Sequence, residues 1–140
     1  VEVDLETGHV HILKLATAVD TGKAINPFAC NQQIEGATIQ GGGPALLEEM
    51  VFDAGQPTNP SFVDYRIPSF LDLPDEVIPI IVEDPHRDGP YGAKGIGEAG
   101  IFAIAPAIAN AVANAVGVQV PDLPITPEKI LRALREANHS

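Results

Sequence analysis

Hydrophobic and polar residues alternate from the first position of the chain, and Glu6-Thr7-Gly8 interrupts them. The flanking runs, Val1–Leu5 and His9–Val19, predict an opening β-hairpin in which Gly8 takes the positive φ of the turn. Asp20-Thr21-Gly22-Lys23 and Asn26-Pro27 are turn signals. From Asn31 to Leu47 the period lengthens to that of a helix, with Ile34, Ala37, Gly41 and Ala45 on one stripe. Gly41-Gly42-Gly43-Pro44 should weaken or kink it, and a helix so rich in glycine suits close packing on a backbone or ligand.

Glu49–Phe52 reads as a short strand ending at Asp53-Ala54-Gly55. Across residues 56–76, Pro57, Pro60, Pro68 and Pro74 forbid long regular elements. Val77–Val82 reads as a strand that Pro79 pushes to an edge. The uncharged run Ile101–Val120 reads as a helix broken at Pro106. Thr126-Pro127-Glu128 supplies an N-cap, a proline at the first helical position and an acid near the positive end of the dipole. The helix that follows, to Glu136, turns Ile130, Leu131 and Leu134 inward. Together these elements predict an α+β fold: a mixed sheet with an N-terminal β-hairpin, and several packed helices, across residues 1–140 as a single unit. The hairpin is expected to join a larger sheet.

A chain of 140 residues with 45% hydrophobic content suits one domain with a moderate core. Its formal charge of −11 argues against nucleic acid or an anionic membrane surface as partner. Ile101–Val120 approaches the length of a membrane span, but it is rich in alanine and contains Pro106, Asn110, Asn114 and Gly117, so no span is expected. Cys30 is the single cysteine, which excludes an intrachain disulfide and a cysteine-based zinc or iron–sulfur site. It fits a reducing compartment, and the expected location is cytoplasmic. The chain opens on Val1 and its single methionine is Met50, from which a fragment or small subunit of something larger is expected.

The strongest candidate for chemistry is Glu98, at the lip of the glycine-rich turn Gly92-Ala-Lys-Gly-Ile-Gly-Glu-Ala-Gly100 and just ahead of the uncharged run. Glycines let backbone N–H groups approach a ligand closely. A carboxylate at that boundary is expected to be partly desolvated, which raises its pKa and suits it to base work. The competing reading is a helix N-terminal carboxylate that only favours the dipole. Gly95-x-Gly97-x-x-Gly100 also spells a dinucleotide fingerprint, but the strand that should end at its first glycine ends near Val82 instead. His9 and His11 face one side of a strand without a third ligand. Asp84, His86 and Asp88 read as a solvated polar loop, and Cys30 as a small hydrophobe without a histidine partner.

Three segments carry a further signal in their order and spacing: Asn26-Pro27 leading to Gln33-Ile34-Glu35-Gly36-Ala37 and Gln40-Gly41, then Tyr65-Arg66-Ile67-Pro68, then Ala93-Lys94-Gly95-Ile96-Gly97-Glu98. Over nearly its whole length the chain resembles the C-terminal part of the molybdenum-binding subunit of the xanthine dehydrogenase/aldehyde oxidase family. The resemblance implies oxidative hydroxylation of an aldehyde or N-heterocycle with water, with Glu98 as general base at the molybdenum centre. It implies that the Gln33 amide contacts molybdopterin and that the backbone of Ala93, Lys94, Gly95, Ile96 and Gly97 lies along the pterin. The pterin, plain or as a cytosine dinucleotide, would hold the metal, so no metal-ligating side chain is implied. Iron–sulfur clusters and FAD would sit on partner domains or subunits. The chain departs from the family in length and at Pro44, where relatives more often continue a helix. A split or fragmentary molybdenum subunit, inactive alone, is therefore expected. The alternatives are a non-catalytic assembly domain of the same fold and a nicotinamide-binding domain.

Overall fold

The computed structural model describes residues 1–138. Strand β1 (Glu2–Val3) pairs antiparallel with β2 (Val10–His11), and Gly8 at φ 76° makes the turn as expected. The long second run does not stay in that hairpin. It breaks after β2, and β3 (Lys14–Asp20) leaves to pair in parallel with β6 (Glu76–Val82), from Lys14↔Glu76 to Asp20↔Val82. The hairpin therefore forms its own ladder beside β3–β6 rather than joining a larger sheet. In β3 the alternation is strict: Leu15, Thr17 and Val19 are buried, while Lys14, Ala16, Ala18 and Asp20 are exposed. One face of the pair is thus committed to the core.

Parallel strands need a crossover, and here it contains helix α1 (Pro27–Leu46), which packs on both strands. Asn26 caps α1 by accepting a hydrogen bond from Ala29 N at 3.1 Å, and Pro27 occupies its first turn. The turn signal at Asn26-Pro27 is therefore the start of the helix, which begins earlier than the apolar stripe suggests. Ile34, Ala37, Gly41 and Ala45 are all buried, together with Thr38 and Gly43. Pro44 lies inside the helix rather than ending it. Gly43 has no Cβ to meet the proline ring, which relieves the usual restriction on the residue before proline.

Strands β4 (Phe52–Asp53) and β5 (Gln56–Pro57) form a small hairpin around Ala54 and Gly55, both at positive φ. The proline-rich stretch adds one 3-10 turn, Phe70–Asp72, capped by Ser69. Helix α2 (Ile104–Val116) carries Pro106 in its first turn, where the missing N–H has no helical acceptor to lose. The proline starts this helix and does not break it. Helix α3 (Pro127–Ala137) starts on Thr126 as predicted, and Ile130 is fully buried. Its partners in the core are Ile12, Leu15, Ala45, Ile104, Ile108, Val112 and Ile125. Each isoleucine buried there stabilises by about 1.5–3 kcal/mol.

Helices α1 and α2 meet at a glycine. A Cβ on Gly41 would lie 2.7 Å from Ile104 Cβ and 3.1 Å from the Ile101 carbonyl. Its neighbour Gly42 faces open space. Gly41→Val should therefore cost about 1–3 kcal/mol through overpacking. Gly42→Ala should be neutral or gain up to about 1 kcal/mol from helix propensity. Denaturant midpoints of the two variants check the contrast.

Candidate active site

The loop that carries Glu98 is held at three places, and the first is the end of the parallel strand pair. Thr21 N donates to the Val82 carbonyl at 2.9 Å, and Lys94 N donates to the Thr21 carbonyl at 2.9 Å. Gly22 and Ala93 form an isolated bridge, and Lys23 N and His86 N both donate to the Gly92 carbonyl, at 2.8 and 2.9 Å. Gly92 itself has φ 83°, a conformation that favours glycine. The second clamp is Gln33, whose Nε2 donates to the Gly97 carbonyl at 2.6 Å from the exposed side of α1. The third is a close approach: a Cβ on Gly100 would lie 2.9 Å from Ala37 Cβ and 3.8 Å from Val19 Cγ2.

Between the clamps lie Gly95, Ile96, Gly97 and Glu98. The structure thus brings Gln33 against the Ala93–Gly97 segment and sets Glu98 next to the carbonyl that Gln33 holds. Ala93, Lys94 and Ile96 are half-buried, and Gly95, Gly97 and Glu98 are exposed. The expected desolvation of Glu98 is not supplied by this chain. The apolar stripe of α2, Ile104, Ile108 and Val112, turns into the core, while the Glu98 carboxylate stays on the open side of the loop.

Of the other sequence candidates, Asp84 and His86 meet this loop only as anchors, through Asp84 Oδ2 3.8 Å from Lys94 Nζ and the His86 amide on the Gly92 carbonyl. His11 Nε2 lies 2.9 Å from Asp75 Oδ1, and His86 Nδ1 accepts from Asp88 N at 3.2 Å. Among the described residues no group of three His, Cys, Asp or Glu could hold a metal ion, and no helix is long and apolar enough to cross a membrane. No strand ends at Gly95, and α2 begins only at Ile104, so the dinucleotide fingerprint lacks its strand–turn–helix frame.

Residues 1–74 match the molybdopterin cofactor-binding domain family. The chain belongs to this family, that of the xanthine and aldehyde oxidoreductases. It is 40% identical over 141 residues to the 6-hydroxypseudooxynicotine dehydrogenase complex subunit gamma of Paenarthrobacter nicotinovorans, covering 99% of this chain and 18% of that subunit. Its fold is similar to that of quinoline 2-oxidoreductase from Pseudomonas putida 86, with TM-score 0.87, 34% identity, and coverage of 96% of this chain and 17% of that one. Aldehyde oxidoreductase from Desulfovibrio gigas gives TM-score 0.84 and 35% identity over 95% of this chain and 14% of that one. The chain spans less than a fifth of the length of these relatives.

The family's cofactor can be tested against the loop. Of the glycines outside the helices, Gly95 and Gly97 alone combine an ordinary φ with open space where a Cβ would stand. Neither backbone conformation nor packing within the chain asks for glycine there. A flat group lying on that backbone would, and in this respect the open backbone of Gly95 and Gly97 fits molybdopterin.

Asp20, absent from the sequence candidates, proves central to the anchoring. Its Oδ2 receives Lys94 Nζ at 2.5 Å, and its Oδ1 accepts from Gly22 N at 2.8 Å. The Lys94 ammonium, and after it the Gly22 amide, hold the Asp20 carboxyl below its usual 3.8. Asp20 in turn raises Lys94 above its usual 10.5. Glu83 is lowered in the same way, first by Lys23 and then by the Ala24 amide. A depressed carboxyl stabilises the fold fully above its unfolded value and loses that contribution as the pH falls through the folded value. The chain should therefore lose stability as the pH drops below about 4, and Asp20→Asn should flatten that loss. Unfolding midpoints from about pH 5 down to pH 3 check it.

Proposed function

We propose that the chain supplies part of the active site of a molybdenum hydroxylase, with Glu98 as general base. Residues 1–140 form one unit of its molybdopterin-binding domain. The observation that carries this reading is the pair of unexplained glycines, Gly95 and Gly97, directly ahead of a free carboxylate on a clamped loop. The backbone of Ala93–Gly97 would hold the pterin along its open side, with the Gln33 amide ordering the Gly97 peptide. When bound, the molybdenum cofactor supplies the two-electron acceptor for hydroxylating an electron-poor carbon with water as oxygen source.

Glu98 takes the proton released as the oxygen nucleophile forms. Its carboxylate needs to be able to reach the acceptor site, and its exposure on the loop leaves it accessible. Lowered local dielectric, which would strengthen the base, must come from the bound cofactor and the polypeptide that covers the loop. Surface for such a cover exists. Phe62, Val63, Phe70 and Leu71 of the proline-rich stretch are at least 80% exposed, as is Tyr91 beside the glycine loop. Apolar surface of this kind marks an interaction site. The cover is the remainder of a molybdenum subunit, and the iron–sulfur and flavin centres that drain the electrons sit on further domains or subunits. The substrate is a small molecule, an aldehyde or an N-heterocycle.

In the assembled enzyme Glu98→Gln should cut turnover by about 10²–10⁴ with molybdenum content unchanged. Full activity in that variant leaves a non-catalytic assembly domain as the reading. Gly97→Ala tests the cradle separately. The unfolding free energy of the cofactor-free protein should stay within about 0.5 kcal/mol of the parent, while molybdenum retained after purification falls. Retention at the parent level would place the cofactor elsewhere.

A further inference from the structure

We propose that Asp20 and Lys94 are positioning residues, a polar latch that sets the Glu98 loop against the end of the β3–β6 pair. The proposal rests on the reading of Glu98 as general base. Asp20 is the last residue of β3, in register with Val82 at the end of β6. Its one carboxylate serves three segments. Oδ1 accepts from Gly22 N in the turn after β3 at 2.8 Å and from Asp84 N, just past β6, at 3.4 Å. Oδ2 receives the Lys94 ammonium at 2.5 Å, and Asp84 Oδ2 stands 3.8 Å from the same nitrogen.

The pair differs from the chain's other lysine–carboxylate bridges. The Lys94 side chain is 27% exposed, against 58% for Lys14 and 54% for Lys23. An isolated exposed bridge contributes little, because solvent and salt screen it and two long side chains lose freedom. Lys94 has already been fixed at its backbone by the Thr21 carbonyl, so less freedom remains to be lost when its ammonium docks. The loop beyond it has no such support until the Gly97 carbonyl meets Gln33. Ile96 is half-buried and the Glu98 carbonyl accepts from Ile101 N at 3.0 Å, but among the described residues no backbone hydrogen bond anchors Gly95 or Ile96, so the orientation of Lys94 bears on Glu98. A base displaced by about 1 Å can lose about 10²-fold in rate.

The geometry also decides between two uses of the lysine. An ammonium committed to Asp20 and beside Asp84 is not directed at a ligand on the open side of the loop. The Lys94 side chain acts on the sheet, and only its backbone faces the cradle.

The test uses the assembled, molybdenum-loaded enzyme. Asp20→Asn and Lys94→Met should lower kcat about 10–100-fold with KM little changed. The amides of Lys94 and Ile101, which donate to the Thr21 and Glu98 carbonyls at the two ends of the loop, should exchange with solvent about tenfold faster, while those of β3 and β6 keep their protection. Lys94→Arg, which keeps the charge and the donors, should restore most of both properties. In a Glu98→Gln background, Asp20→Asn should cost little further turnover, because the group it positions is gone. Unchanged exchange at the Lys94 and Ile101 amides in both charge-removing variants overturns the latch. So does faster exchange spread equally over β3 and β6, which would assign the pair to the sheet as a whole. A loosened loop combined with a fully active Glu98→Gln enzyme supports the latch and removes the base assignment instead.

Discussion

The parallel pairing of β3 with β6 is the constraint from which the site follows. Two strands running the same way cannot be joined by a tight turn, so the chain must travel between them and return. It does so through α1 and the proline-rich stretch, and that path lays the exposed Gln33 side of the helix beside the carboxyl ends of both strands. The groups that hold the glycine loop are found there: the Thr21 carbonyl, the Asp20 carboxylate, the Gly22 bridge and the Lys23 and His86 amides on one side, Gln33 and Ala37 on the other. Ligand sites at the carboxyl ends of parallel strands are a general outcome of such crossovers. Here the candidate loop stands at such an end, with two parallel strands among the described residues.

The forces in the two halves of the molecule differ in kind. The core is isoleucine, leucine, valine and alanine, with aromatics at 5% and no tryptophan, so its precision comes from close helix approach at Gly41 rather than from large rings. The site is held by hydrogen bonds and one part-shielded ion pair. Its carbonyls and carboxylates meet groups that fix position without burying Glu98, which stays exposed. Burial by a partner and binding of a flat cofactor are then compatible with the same loop geometry, because neither has to displace an apolar contact made within the chain.

Much of the local structure was legible because it depends on neighbours in sequence. Gly8 at its turn, the buried stripe of α1, the Val77–Val82 strand and the Thr126 cap all rest on short-range rules. The strand from His9 to Val19 was misread as one element because alternation continues across the point where its partner changes from β1 to β6. Pro106 was read as a break, and Pro44 with the glycines before it as a weakening or kink, since proline's penalty depends on where the helix begins and on what precedes it. The glycine loop was legible as a candidate site from its residue types. The exposure of Glu98 was not, because it depends on which way α2 turns its apolar face. Asp20 carried only a turn signal, and its partner lies 74 positions away. No local pattern announces such a pair.

The glycines also divide in a way that bears on the history of such a chain. Gly41 and Gly100 are boxed in by Ile104 and Ala37, so any descendant that still folds must keep them small. Gly95 and Gly97 meet nothing inside the chain. A lineage that kept this fold as a scaffold but gave up its cofactor would be released at positions 95 and 97 first. Alanine or serine would accumulate there while 41 and 100 stayed unchanged. On the proposed reading the two pairs therefore keep separate records, one of folding and one of cofactor binding.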